Sequence, residues 1–363
     1  MRKLKILQLI QKKQYRGAEV FCCQLSNHLI ELGHEVEVYS IYDGNASLPL
    51  LYKQVKTLAR PRNRRFIDYH GWSQLARIIE EFQPDIVQAN AADTLKYAVL
   101  SKIFFNWKKP LVYRNASASS FYVKTRFSKK INEFLLKRVD AIVSVSKASK
   151  DDLNKLFPFT STITSVVPVG VEVKGFLGGD HFKTESQHKK KLLHIGSFTK
   201  EKNHYGLLDI FQRILNDEPS VELHLVGEGI LRDKIEQKVS QLDLKGSVHF
   251  HGEVEDPTLF LKSSDIFMLP SLIEGLPAVV VEAMNQNLPV VAYNVGGISE
   301  VLSNNTGYLI EKNNESSFAD AVLKDLENSD KQKVENAFNL VSEKFRNSEI
   351  AKQFLQIYAE IRS

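Results

Sequence analysis

Apolar residues along this chain fall into two alternating rhythms. Short runs such as "LKILQLI" (4–10), "HEVEVYS" (34–40), "DIVQAN" (85–90), "PLVYRN" (110–115) and "AIVSVS" (141–146) have the length and flanks of strands. Between them lie stretches with apolar residues every three or four positions, "AEVFCCQLSNHLIELG" (18–33) and "WSQLARIIEEF" (72–82) among them, which predict helices. Gly33 stands where the first should stop. Strands that alternate with helices predict an α/β fold, a doubly wound parallel sheet covered on both faces.

The alternation breaks once. After "VVPVGV" (166–171) comes "KGFLGGDHFKTESQHKKK" (174–191), rich in Gly, Ser and charge, with no apolar period. "LLHIGSF" then restarts the series, followed by "VELHLVGEG", "VHFHG", "DIFMLPS", "PVVAYNVGG" and "TGYLIE". An amphipathic stretch, "EIAKQFLQIYAEIR" (349–362), closes the chain. The expected organisation is a first Rossmann-like domain over 1–170, a linker over 171–190 and a second such domain over 191–345. The final helix, 346–363, follows as a separate segment, and the cleft between the domains is the expected ligand site.

Composition adds little until it is divided. The 43% hydrophobic and 25% charged residues are those of an ordinary globular protein with sizeable cores. The net charge of +5, however, hides +13 over residues 1–170 and −8 over 171–363. A basic half suits an anionic surface or an acidic acceptor, although a merely solvated face would look the same. No nucleic-acid motif accompanies the charge. The basic opening "MRKLKILQLI" is followed by too short an apolar run for a signal peptide, so a cytoplasmic location is expected. The two cysteines, Cys22 and Cys23, sit in an apolar stretch without activating charge and read as buried small hydrophobes.

Candidate chemistry gathers at "SLIEGLPAVVVEA" (271–283). The segment follows a buried strand, at the end where α/β sheets bind ligands. Pro277 suits the first turn of a helix, and Gly275 allows the tight turn before it. Glu274 then lies in the loop, and the amides of Gly275, Leu276 and Ala278 point outward with the positive end of the helix dipole, a site for an anion. Glu282 lies about one and a half turns into that helix, among valines and alanine. A carboxylate there is costly unless hydrogen-bonded, and sugar hydroxyls are suitable donors. On residues alone, Glu274 as a turn cap with Glu282 paired to a buried cation explains the pattern equally well. A glycosidase pair of carboxylates is a third reading.

The stretch 271–302, "SLIEGLPAVVVEAMNQNLPVVAYNVGGISEVL", resembles the signature of the group-one, family-four retaining glycosyltransferases, which have the GT-B fold. "VGEGILRDKIEQ", "VHFHGEV" and "SSDIFMLPS" fall in family order before it. The resemblance implies that Glu274 holds hydroxyls of a transferred sugar and Glu282 the ribose hydroxyls of a nucleotide diphosphate sugar. It also implies front-face transfer to a hydroxyl of a glycan or lipid-linked acceptor, and a final helix over 346–363 that crosses back onto the first domain. No Asp-x-Asp pair is present to hold a metal against a diphosphate, so neither metal nor cofactor is expected, and the basic first half suits cell-surface polysaccharide or lipopolysaccharide assembly. "YRGAE" (15–19) resembles the family's amino-terminal glycine-rich loop, keeping Gly17 but carrying Arg16 where a second glycine is usual. "IGSFTKEKN" (195–203) resembles the diphosphate-binding loop, with Lys202 at its lysine and Ser197 in place of its arginine. "YRNASAS" (113–119) offers Arg114 and Asn115 where many relatives have a histidine.

Glu274 and Lys202 are therefore the expected catalytic residues, and Gly17, Ser197, Gly275, Leu276 and Glu282 complete the expected donor site. Arg16 and Asn115 are candidates for contact with donor sugar or acceptor. The two departures keep open a protein that binds a nucleotide sugar without turnover, and a sugar-nucleotide epimerase or glycan phosphorylase on the same fold is the other alternative. His249 and His251 alternate on one strand face with no carboxylate or cysteine at metal spacing, so no metal is expected. "ARPRNRRFIDYHGW" (59–72) and "FYVKTRFSKK" (121–130) interleave basic and aromatic residues, as a peripheral membrane surface would.

Overall fold

A computed structural model of the protein describes residues 2–172 and 189–361. Most of the expected linker lies outside the described residues. The chain divides into two compact units, one of residues 1–170 with 347–363 and the other of residues 171–346.

The first unit is built on seven strands: β1 (Lys5–Lys12), β2 (Glu35–Tyr42), β3 (Lys56–Arg60), β4 (Ile86–Ala89), β5 (Leu111–Asn115), β6 (Ala141–Ser144) and β7 (Thr164–Val166). They pair in parallel in the order β3-β2-β1-β4-β5-β6-β7. The chain works outward from β1 in one direction, returns, and works outward in the other, so the order reverses between β1 and β4. Strands β4, β5 and β6 are buried along their whole length, which is why they read as unbroken apolar runs. Strand β3 has no such signal: "KTLAR" is an edge strand with a single buried residue, Leu58, and a register shift where it meets β2.

Helices cover both faces. Gly17–Glu31 ends at Leu32, after which Gly33 takes φ +91°, a left-handed turn that suits glycine. Cys22 and Cys23 on this helix are buried, and burial pushes the Cys23 thiol up to about 12, as inert small hydrophobes require. The last helix, Asn347–Glu360, packs its buried stripe of Ile350, Ala351, Phe354, Leu355 and Tyr358 within this unit. Phe354 meets Phe21 at 6.2 Å between ring centres, and the Tyr358 hydroxyl donates to Gln88 Oε1 at 2.6 Å.

The second unit holds six strands: β8 (Lys190–Ile195), β9 (Val221–Val226), β10 (Val248–Phe250), β11 (Ile266–Leu269), β12 (Val290–Tyr293) and β13 (Tyr308–Ile310). All pairs are parallel, in the order β10-β9-β8-β11-β12-β13, with the reversal between β8 and β11. In the second unit both strands at the reversal, β8 and β11, lead at their carboxyl ends into candidate loops, and in the first unit β1 does so, the arrangement that places ligands at the carboxyl edge of open α/β sheets.

Candidate donor-binding site

In the second unit the loop after β8, residues 196–203, and the loop after β11, residues 270–277, leave adjacent strands at the reversal point. Lys202 in one and Glu274 in the other are 72 residues apart in sequence, and hydrogen bonds tie the two loops together. The Leu272 amide donates to Glu201 O at 2.8 Å, and Asn203 Nδ2 donates to Pro270 O at 3.1 Å. Asn203 itself adopts a left-handed backbone, φ 55°, and caps the helix His204–Asp217 by accepting from the Gly206 amide. This geometry brings Lys202 Nζ to 2.5 Å from Glu274 Oε1, an ion pair with only 20% and 10% of the two side chains exposed. Ser197 lies between Gly196 and Phe198 in the same loop, half-buried.

Two glycine turns set the spacing of these loops. Gly227 has φ +136°, and a Cβ there would stand 2.2 Å from Gly196 O; Phe198 also donates to Glu228 O at 3.0 Å. Gly296, with φ +56°, lies so close to the second loop that a Cβ would stand 2.0 Å from Glu274 O, while the Gly297 amide donates to Gly275 O at 2.6 Å. "VGEG" and "VGG" are therefore braces pressed against the loops that carry Ser197 and Glu274. Beneath the first loop lies a buried imidazole pair. His204 stacks on Phe198 at 4.1 Å, and His194 meets the Met268 carbonyl through Nδ1 at 2.8 Å. Burial pushes these rings down, to about 4 for His194 and about 2 for His204, so both are neutral beneath the Lys202 charge.

The helix Ala278–Asn285 starts one residue later than its proline suggests. Pro277 is the N-cap, with an extended backbone, and Gly275 and Leu276 are buried in the approach to it. Glu282 falls on a half-buried face of this helix, between buried Val281 and Ala283. Burial first, and the Asp256 charge second, raise its carboxyl to about 7. Among the described residues Glu282 has no ion-pair partner, so the buried-ion-pair reading finds no support in them. Glu274, by contrast, has one in Lys202.

In the first unit, Arg16 and Gly17 are exposed at the carboxyl end of β1, where the helix Gly17–Glu31 begins. A Cβ on Gly17 would meet no atom within 4 Å, so protein packing does not require glycine there. Glu19 is buried behind the loop, accepts from Gln14 Nε2 at 3.0 Å, and is raised to about 7 by burial. Asn115 is buried at the end of β5. Its amide nitrogen donates to Ser144 Oγ and Ser149 O, both at 3.2 Å, so the amide holds the strand-to-helix turn and only Oδ1, reached by Ser119 Oγ at 3.4 Å, faces another hydroxyl. Arg114 is buried with its guanidinium 4.2 Å from the centre of the Phe21 ring, and among the described residues its Nε and Nη1 have no hydrogen-bond partner. Sequence reasoning missed the polar cluster beside it, Gln8, Gln88 and Asn90, because those residues read only as interruptions in apolar strands.

One premise of the sequence reading is corrected. His249 does face a carboxylate, Glu222, supplied by the neighbouring strand β9. Cross-strand register, not sequence spacing, makes that pair.

Two parallel α/β sheets of this order, with charged loops at each reversal, define a protein of the GT-B architecture. Residues 180–338 match the glycosyl transferases group 1 family and residues 15–174 match glycosyltransferase family 4, so that together the matches take in most of the chain. The chain belongs to the group 1 glycosyl transferases. An uncharacterized glycosyltransferase of Haemophilus influenzae is 25% identical over 82% of this chain and 83% of its own. The uncharacterized glycosyltransferase MJ1059 of Methanocaldococcus jannaschii is 29% identical over 60% of this chain, a match that spans only 58% of the relative's length. Among solved structures, that of Anabaena Alr3699/HepE in complex with UDP-glucose superimposes with a TM-score of 0.84 at 20% identity, covering 98% of this chain and 100% of the other.

Proposed function

We propose that the protein is a retaining, metal-independent glycosyltransferase that moves a hexose-type sugar from a nucleotide diphosphate sugar to a hydroxyl of a glycan or lipid-linked acceptor. The observation that carries this is the trio at the second sheet's reversal point: Lys202 paired with Glu274, and Glu282 half-buried with no cation to compensate it among the described residues. Sugar hydroxyls donate to Glu274 and ribose hydroxyls to Glu282, which gives that costly carboxylate its missing partners. Family membership supports the assignment, as does the UDP-glucose bound to the Anabaena protein of the same fold.

Lys202 then has two states. Without donor it neutralises Glu274; with donor, its ammonium swings to the diphosphate and leaves Glu274 to the sugar. During transfer the bond from the anomeric carbon to the β-phosphate oxygen breaks. The acceptor oxygen bonds to that carbon from the same face, and its proton passes to the departing phosphate. Lys202 and the amides of Gly275 and Leu276 stabilise the leaving charge, the electrostatic contribution that catalysis of this kind depends on. Ser197 contributes no charge, so Lys202 carries more of that load.

The acceptor reading rests on the first unit's surface. Phe66, Ile67 and Tyr69 are exposed beside Arg62, Arg64 and Arg65, and Tyr122, Phe127, Ile131 and Phe134 are exposed among Lys124, Arg126, Lys129 and Lys130. Such a surface suits peripheral contact with anionic lipid carrying the acceptor, as in polysaccharide or lipopolysaccharide assembly on the cytoplasmic face of a membrane. Among the described residues no helix is long and apolar enough to cross a membrane.

The first test is melting temperature against UDP-, GDP-, ADP- and CMP-linked sugars, with Glu282→Ala as control. A saturating donor at a hundred times its Kd adds about 2.7 kcal/mol, or several degrees. A shift with one donor that the variant loses supports the reading, and the anomeric configuration of the product then tests retention. A shift with no transfer to any acceptor would favour a binding protein instead.

A further inference from the structure

The outer edge of the second sheet carries a cluster that the donor site does not use. Strands β9 and β10 pair with His224 directly opposite His249, and Glu222 lies two residues before His224 on the same face. Three side-chain atoms converge there. Glu222 Oε2 is 3.5 Å from His249 Nε2 and 3.7 Å from His224 Nε2, and the three atoms all lie within 4.8 Å of one another. The two ring nitrogens are shielded from solvent, and neither has a hydrogen-bond partner among the described residues. Buried polar atoms are rarely left so.

The surroundings fit a metal's second layer. His224 Nδ1 is 2.9 Å from His251 Nε2, a hydrogen bond that, with Nδ1 as donor, leaves the Nε2 lone pair aimed at Glu222. The His224 ring lies nearly parallel to that of His251, 8° apart with centres 5.1 Å apart, and stacks on His249 at 4.9 Å. Lys189 occupies the other Glu222 oxygen, Oε1, at 3.1 Å, leaving Oε2 to the cluster.

We propose that Glu222, His224 and His249 form a binding site for a divalent transition-metal ion of the zinc class, which clamps edge strand β10 to β9. Zinc bonds to imidazole nitrogen and carboxylate oxygen at about 2.0–2.2 Å, so three ligand atoms already within 4.8 Å of one another reach it by side-chain adjustment alone. Three protein ligands leave the fourth tetrahedral position to a further ligand such as water. Hard cations such as Mg²⁺, which prefer oxygen ligands in an octahedron, do not suit the site. The neighbouring Lys189 charge weakens the affinity without removing a ligand. The inference is independent of the transferase reading.

The experiment is calorimetric titration of the untagged full chain with Zn²⁺, and with Mg²⁺ as control. Co²⁺ serves as a spectroscopic probe, because tetrahedral nitrogen and oxygen ligation gives a strong visible absorption. Expected are one Zn²⁺ per chain, a raised melting temperature, and no response to Mg²⁺. His249→Gln alters a side chain that is partly exposed, so its fold is checked by the metal-free melting temperature; it should weaken binding about tenfold or more, as should Glu222→Gln. His251→Ala should weaken it less, by freeing the His224 tautomer. Absence of Zn²⁺ binding to the native chain overturns the proposal. So does binding that survives unchanged in a folded His249→Gln chain.

Discussion

Glu282 concentrates the chemistry of single residues in this protein. Its carboxyl is raised to about 7, above an ordinary value of 4.5, because burial disfavours the charge and Asp256 adds repulsion. A carboxyl raised by folding makes the native state bind protons more readily than the unfolded one, so stability falls as pH climbs from about 4.5 through 7. Glu282→Gln should therefore melt higher than the native chain at pH 8, by an amount on the order of 2 kcal/mol. The difference should shrink steadily toward pH 5. On the proposed role, ribose hydroxyls need the ionised form, so donor affinity in the native chain should weaken below pH 7. In the glutamine variant it should be poor throughout. A variant that melts alike at both pH values would mean that the carboxylate already has its partner inside the protein.

At the scale of loops and elements, two glycines that look equally plain in sequence should behave in opposite ways. Gly296 combines a left-handed backbone with a neighbour that leaves no room for a Cβ. Gly296→Ala should cost about 1–2 kcal/mol for the backbone alone, and more from the displaced Glu274 carbonyl, lowering the melting temperature and activity together. Gly17 has open space around it. Gly17→Ala should leave the melting temperature unchanged within a degree or so, while transfer falls if the bare backbone is there for the donor phosphates. Calorimetry beside a transfer assay separates the two, and a Gly17→Ala enzyme of full activity would remove this loop from the site. The same contrast shows how far the sequence could be read. The Glu-Gly-Leu-Pro turn and its helix were legible because proline, glycine and an apolar run mark a helix start locally. The braces were not, because nothing near Gly227 or Gly296 in sequence says that another loop's backbone presses against it.

For the molecule as a whole, the last helix belongs energetically to the first unit. Ile350, Phe354, Leu355 and Tyr358 are buried there, and at about 1.5–3 kcal/mol for each buried side chain their loss approaches the total stability of a domain. Deleting residues 349–363 should abolish cooperative melting of the first unit, seen as loss of near-ultraviolet dichroism; a truncated chain with normal melting and normal rate would refute this. The charge division also acts at this scale. The basic first half should bind liposomes containing anionic lipid at low salt and release them as salt rises, since exposed charges are screened over about 10 Å at 0.1 M. Failure to sediment with such liposomes at low salt would discard the membrane reading while leaving the donor site untouched.

By itself the sequence determined the alternation of strands and helices, the break near residue 171 and the family, and it singled out Lys202 and Glu274 in loops and Glu282 on a helix as candidates. These are local signals, written in apolar period, turn chemistry and motif order. Tertiary structure decided which strands are neighbours, and with them which side chains meet. Placing β8 beside β11 joined Lys202 to Glu274 across 72 residues. Register between β9 and β10 set His249 opposite His224 and within reach of Glu222. Helical and strand periods arise within a few residues, whereas sheet order and register follow from the packing of both faces at once.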